Sequence, residues 1–277
     1  MSHRSALLAP IANESGSGVG SSRGDVASRP ISNRSAGARA GRRGRLVCLI
    51  DADPELAWSL PDDQMDTVRS ATLTRVISLP EGTWINSAVR PDPRHLGYLV
   101  LDGLMLRELR VVGGCSIELL AEGDVLRPWQ EDSASFCEGR FRAVAPTRLA
   151  ALDPAFAERI SAWPQLTAAL LERALRRSRM LAAVAAIGHV VGLDQRLEAL
   201  FWCLAERWGT VTPDGVRIRL SLTHQALADM IGAQRPSVTT ALGRLARAGT
   251  LVRADGAWTL RSEPPASANG VRPATRR

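Results

Sequence analysis

Between residues 223 and 240 the sequence places side chains suited to hydrogen bonding with a nucleic acid. Arg235 can donate to guanine O6 and N7 or to a phosphate, the methyls of Thr239 and Thr240 can meet thymine, and Gln234 and Thr223 can hydrogen-bond phosphate oxygens. Such groups act together only when they share one exposed edge. The spacing supplies that edge: Val238, Leu242 and Leu245 recur at i, i+4 and i+7, so they bury one helix face and turn Arg235, Pro236, Thr239, Thr240 and Gly243 outward.

The flanking residues specify the elements that hold this edge. Thr223 is a good N-cap for a short helix over 224–231, in which Leu227 and Ile231 lie on one face. Gly232 ends that helix where a left-handed backbone is wanted. A second helix can begin at Arg235, with Pro236 in its first turn, where a missing N–H costs nothing. Gly249 stops it. Residues 251–253, the turn 254–256 and residues 257–260 then make a two-stranded wing. Helix, glycine turn, helix and hairpin form a winged helix-turn-helix whose second helix has the size to enter a major groove.

Upstream, Gly192 breaks a helix and Asp194 can cap the next, which carries Leu197, Leu200, Phe201 and Leu204 on one face. The turn signal Thr212-Pro213-Asp214-Gly215 closes a small hairpin behind it. Before it, a long helix spans about residues 165–190. Its Leu170, Ala174, Leu181, Val184 and Val191 approach a heptad seam interrupted by Arg177, so the stripe serves either a dimer or packing on its own sheet. A short helix covers 154–161. From about 75 to 152, apolar runs at 76–79, 96–101, 104–112, 117–120 and 141–152 alternate with Gly- and Asp-rich turns, as antiparallel strands do. The fold class is α+β, with expected divisions at 1–45 (tail), 46–162 (β-roll), 163–192 (dimerisation helix), 193–262 (winged helix-turn-helix) and 263–277 (tail).

Residues 223–245, Thr-His-Gln-Ala-Leu-Ala-Asp-Met-Ile-Gly-Ala-Gln-Arg-Pro-Ser-Val-Thr-Thr-Ala-Leu-Gly-Arg-Leu, resemble the helix-turn-helix of the Crp/Fnr transcription regulators. The order of elements extends the likeness over roughly residues 60–260, with an amino-terminal antiparallel β-roll of the cyclic-nucleotide-binding type. The resemblance implies a homodimer that binds an inverted-repeat operator in double-stranded DNA and contacts RNA polymerase. It also implies that Arg235, Pro236, Thr239 and Thr240 read bases, while Thr223, His224, Gln234 and Ser237 touch phosphates. Pro236 stands where many members carry a base-reading Glu, so the best-known operator of the family is not assumed for this chain.

The roll departs further. Cyclic-nucleotide-binding members have a Gly-Glu-Leu helix start and an Arg-Ser pair for the cyclic phosphate. Here Glu122-Gly123-Asp124 leads into Val125-Leu126-Arg127-Pro128-Trp129, and the Arg-Ser pair aligns with Cys137-Glu138. Pro128 removes a phosphate-binding N–H, and Glu138 would repel the phosphate. Cyclic nucleotide is therefore not expected to bind in the usual way, and no cofactor is assigned. Arg140 and Arg142 either rescue an anion site or lie on an exposed strand face. The roll is either a sensor for another ligand or a scaffold. The clustered cysteines of the iron-sulfur variant and the placed histidines of the haem variant are missing from the sequence.

Composition narrows the remaining classes. The chain has 277 residues, 45% hydrophobic and 23% charged, which suits two soluble domains at about 150 residues each. No apolar run approaches the roughly 20 residues of a membrane span, and residues 1–10 carry no secretory signal, so the expected location is the cytoplasm. All 35 basic residues are arginine. Residues 1–45 carry a net +6 and residues 261–277 a net +3; with a chain total of +7, the stretch between them sums to −2. The basic tail at 41–45 can touch phosphates or simply be solvated. Cys48, Cys115, Cys137 and Cys203 are scattered, which suits buried thiols rather than a disulfide framework or zinc site. Two rivals remain: a cupin-like metal enzyme, which His95 alone cannot furnish, and an architectural protein coating DNA through its Arg-rich tails. No catalytic or metal-ligating residues are assigned.

Overall fold

Strands form wherever apolar residues can be buried on one or both faces of a sheet. The computed structural model describes residues 45–85, 92–129 and 137–264, so the expected tails lie almost wholly outside the described residues. The first half comprises β1 (Leu46–Cys48), α1 (Leu49–Ala52), α2 (Met65–Ala71), β2 (Leu73–Leu79), β3 (Trp84–Ile85) and β4 (Gly97–Asp102). It continues with β5 (Leu104–Val111), β6 (Gly114–Ala121), β7 (Val125–Leu126), β8 (Cys137–Ala143) and β9 (Thr147–Leu152). Two antiparallel sheets result, in the orders β1-β2-β9-β4-β7 and β3-β8-β5-β6. The apolar run at 141–152 is two strands, parted at Val144-Ala145-Pro146, where Thr147 Oγ1 donates to the Ala145 carbonyl at 2.8 Å.

The space between the sheets is filled. Leu79, Val100, Met105, Leu120, Leu126, Phe141, Ala143 and Leu149 meet there, and Met105, Leu120 and Leu126 are fully buried. The other side of the first sheet packs Leu99, Leu101, Ala150 and Leu152 against α1, α3 (Pro154–Ile160) and the start of α4 (Pro164–Gly188). Strand β4 is thus buried on both faces, which is why residues 99–101 read as a continuous apolar run.

Helix α4 sorts its residues between the roll and the outside. Leu166, Leu170 and Arg173 are buried. Arg173 donates to both Asp53 carboxylate oxygens, at 2.6 and 2.8 Å, and lies 2.8 Å from Glu55. Arg177 reaches into the end of the roll, where it donates through two nitrogens to Glu118 and through Nη1 to the Val125 carbonyl at 3.1 Å. This explains the interruption in the stripe: Arg177 belongs to the inner face. Leu170 and Val184 also pack inward, while Ala174, Leu181 and Val191 are exposed. Leu171, Leu175, Ser178, Ala182, Ala185 and His189, at alternating spacings of four and three, form the outward line.

The second half contains α5 (Leu193–Trp208), β10 (Gly209–Thr212), β11 (Gly215–Ile218), α6 (His224–Ile231), α7 (Arg235–Arg247), β12 (Leu251–Ala254) and β13 (Ala257–Leu260). The four strands pair in the order β10-β11-β13-β12. Asp194 is not the cap of α5; Gly192, at φ +90°, holds that position, and Asp194 in the first turn takes Arg244 instead. Leu197, Leu200, Phe201 and Leu204 share one core with α6, α7 and β13, and that core continues into Leu104, Leu106, Ile117 and Leu119 of β5 and β6. Arg207 adds a polar tie, donating to Asp124 Oδ1 at 2.9 Å and to the Glu122 carbonyl at 2.8 Å. Among the described residues no helix is long and apolar enough to cross a membrane.

Candidate nucleic-acid interface

The helix pair is built by local chemistry. Thr223 lies in the extended region and its Oγ1 accepts from the Ala226 N–H at 3.1 Å, which caps α6 and leaves the hydroxyl proton available. Helix α6 buries Ala226, Leu227, Ala228, Met230 and Ile231. Gly232 then adopts φ +62°, ψ +44°, the left-handed geometry that lets the chain turn within three residues into α7.

Helix α7 divides cleanly. Val238, Ala241, Leu242 and Leu245 are buried, whereas Gln234, Arg235, Pro236, Ser237, Thr239 and Thr240 are exposed. Gln234 is the N-cap residue but makes no side-chain capping bond, so the first turn presents N–H groups and the positive end of the helix dipole to an outside acceptor. Among the described residues the Arg235 side chain has no hydrogen-bond or ion-pair partner. Thr239 Oγ1 donates to the Arg235 carbonyl at 3.0 Å, and Thr240 Oγ1 to the Pro236 carbonyl at 3.1 Å. His224, partly buried on α6, places Nδ1 2.9 Å from Thr239 Oγ1. All eight residues singled out in the sequence thus lie in one neighbourhood, seven exposed and His224 behind Thr239.

Other residues position or extend this surface. Arg244 donates from Nε and Nη2 to the two Asp194 oxygens at 2.9 and 2.5 Å, tying α7 to α5. Those hydrogen bonds hold the Asp194 carboxyl below the usual aspartate range. Arg247 is exposed at the far end of α7, and Arg253 is exposed on β12 with its guanidinium 4.9 Å from the Trp258 ring centre. Sequence reasoning passed over these two arginines; the alternation of Arg253 with buried Leu251 was the available signal. The wing turns through Asp255 and Gly256, both at positive φ, as a tight hairpin requires.

The roll offers a different chemistry. Glu138 is paired with Arg140 at 2.7 Å, and Arg142 lies 3.9 Å from Glu108, so both arginines sit beside carboxylates on the strand face. Trp129, after Pro128, packs edge-on against His95 and Tyr98 at ring separations of 4.7 and 5.5 Å. Burial holds the His95 imidazole below its ordinary range. All four cysteines are free and partly buried, and burial pushes the Cys203 thiol up to about 11. Among the described residues no group of three His, Cys, Asp or Glu is placed to hold a metal ion.

Residues 195–263 match the family model of the Crp-like helix-turn-helix domain. The chain is 42% identical over 60 residues to the global nitrogen regulator of Synechocystis sp., covering 22% of this chain and 26% of that protein. It is 28% identical over 163 residues to the global nitrogen regulator of Synechococcus elongatus, covering 56% of this chain and 72% of that one. The fold is similar to that of a CooA mutant from Carboxydothermus hydrogenoformans, with TM-score 0.54 and 18% identity, over 68% of this chain and 84% of that one. Residues 195–263 thus carry a Crp-like helix-turn-helix domain, and the order of two antiparallel sheets, a long helix and this domain gives the chain a fold similar to that of the CooA mutant.

Proposed function

We propose that the protein is a homodimeric transcription regulator that reads an inverted repeat in double-stranded DNA. The carrying observation is the division of α7, which buries Val238, Ala241, Leu242 and Leu245 and leaves Arg235, Pro236, Ser237, Thr239 and Thr240 outside. Arg235 is the principal base reader, free to donate two parallel hydrogen bonds to a guanine edge. Pro236, Thr239 and Thr240 line the same edge. Thr223, Gln234 and Ser237 contact phosphates and set the register; Arg247 and Arg253 add sequence-independent attraction.

Dimerisation is supported by the outward line of α4. Leu171, Leu175, Ser178, Ala182, Ala185 and His189 follow a heptad pattern, with small residues that let two helices approach closely. Two-fold symmetry would set the recognition helices about 34 Å apart, one turn of DNA. The filled interior of the roll and the Arg177–Glu118 pair at its end favour a scaffold, with RNA polymerase as its natural partner, over a small-molecule sensor. The working compartment is the cytoplasm, where operator DNA is found.

Selection from random duplexes tests this reading. The expected product is an inverted repeat with half-site centres about 10 base pairs apart. Enrichment of no common sequence, or of a single unrepeated site, would contradict it.

A further inference from the structure

We infer that His224 is a positioning residue that fixes Thr239 as a methyl reader, so that each half-site carries a thymine recognised by its 5-methyl group. The inference rests on the DNA-reading assignment above and adds the chemistry of one contact. It also reassigns His224, which the family resemblance places on a phosphate.

The hydroxyl of Thr239 is engaged on two sides. It has one proton, which goes to the Arg235 carbonyl at 3.0 Å, in the i to i−4 manner of helical threonines. His224 Nδ1 lies 2.9 Å from the same oxygen. With the hydroxyl proton already engaged, both contacts are satisfied only when Nδ1 carries its own hydrogen and donates. The hydroxyl then has no donor left, and one of its lone pairs is occupied. The hydroxyl thus keeps a single lone pair, while the methyl of this exposed side chain is wholly unengaged.

Thr240 is the internal control. Its hydroxyl also donates to the backbone, at 3.1 Å to the Pro236 carbonyl, but no histidine approaches it, so it keeps both lone pairs for an adenine or cytosine amino group. Two adjacent threonines on one helix edge thus present different chemistry, and the difference is made by a residue fifteen positions earlier, across the Gly232 turn.

The same hydrogen bond fixes what His224 can offer outward. With Nδ1 committed to Thr239, only Nε2 of His224 is left to face outward. The partner His224 has in the structure is Thr239, so its inferred action is through that side chain rather than through the DNA backbone.

The test uses the full-length protein and the repeat obtained by selection; absence of any selected repeat would defeat the DNA-reading assignment and is separable from the result below. Each thymine of the repeat is replaced singly by uracil, which removes one methyl. One symmetry-related thymine should show a loss of about fourfold, the value of one buried methyl. Thr239→Ser should bind with that loss already present and be insensitive to the uracil, while Thr239→Val, which helix packing holds in a single χ1 rotamer without help from His224, should keep both the affinity and the sensitivity. His224→Ala should lose the sensitivity with an unchanged salt dependence, and His224→Asn, which restores a donor near Nδ1, should recover it. A phosphate contact predicts the opposite for His224→Ala: a salt slope lowered by about one with uracil sensitivity intact. That outcome, a repeat with no uracil-sensitive thymine, or Thr239→Val weaker than Thr239→Ser would overturn the inference. The far-ultraviolet circular dichroism and melting temperature of each variant, compared with wild type, report that it is folded.

Discussion

The recognition helix and the β-roll dispose of their polar side chains in opposite ways. Helix α7 keeps Arg235 without a partner on the surface, whereas the roll turns Glu118 inward and meets it with Arg177 and Arg107. An unpartnered donor at a surface edge is available to a ligand; a carboxylate already bound by two guanidinium groups is not. Helix α7 thus leaves hydrogen-bonding groups unused at its surface, whereas the Glu118 cluster of the roll holds elements together.

The comparison is sharpened first by substitutions in the roll. Glu118→Gln strands Arg177 in a largely buried site and is expected to cost about 3 to 5 kcal/mol of stability. Glu138→Gln, which removes the exposed partner of Arg140, should cost no more than about 1 kcal/mol. Denaturant melts of the two variants measure the difference; equal losses would mean that the pair at the roll's end is no more protected than the one on its surface.

Leu175→Arg is expected to act next in size. It places a charge on the exposed line of α4 without touching either core, so the monomer should fold while the dimer dissociates. Sedimentation should show the monomer, and affinity for the repeat should fall about 100-fold as the two half-sites uncouple. An intact dimer would move the interface elsewhere. Gly232→Ala should be milder. Its added methyl meets open space, so the cost is that of a left-handed backbone alone, about 1 kcal/mol, with affinity per folded molecule unchanged.

The two regions also differed in how readily they could be read from the sequence. Helices α6 and α7 were legible to the residue because their signals are local: the Thr223 cap, the Gly232 turn and Pro236 in the first turn all act within a few positions. In the roll, β2 pairs with β9 through Val76 and Ala150, and nothing near either residue announces the other. The elements before residue 73 escaped for the same reason, since α1 has only four residues and is held by contacts with α3 and α4. The heptad line of α4 was displaced because Leu170 and Leu171 are chemically identical. Only the roll, present in the fold and absent from the local pattern, decides that Leu170 goes inward. The exposed face of α7 was legible from its spacing, but the His224–Thr239 contact was not, because it depends on how the Gly232 turn sets two helices side by side.

The central claim is that the exposed edge of α7 reads sequence through Arg235. Wild type and Arg235→Ala should be titrated at one salt concentration on the selected repeat and on a scrambled duplex of the same length. The account predicts a loss of about 1 to 3 kcal/mol on the repeat, with scrambled binding nearly unchanged, so that discrimination collapses. Equal losses on both duplexes, or discrimination preserved without the guanidinium, would contradict it.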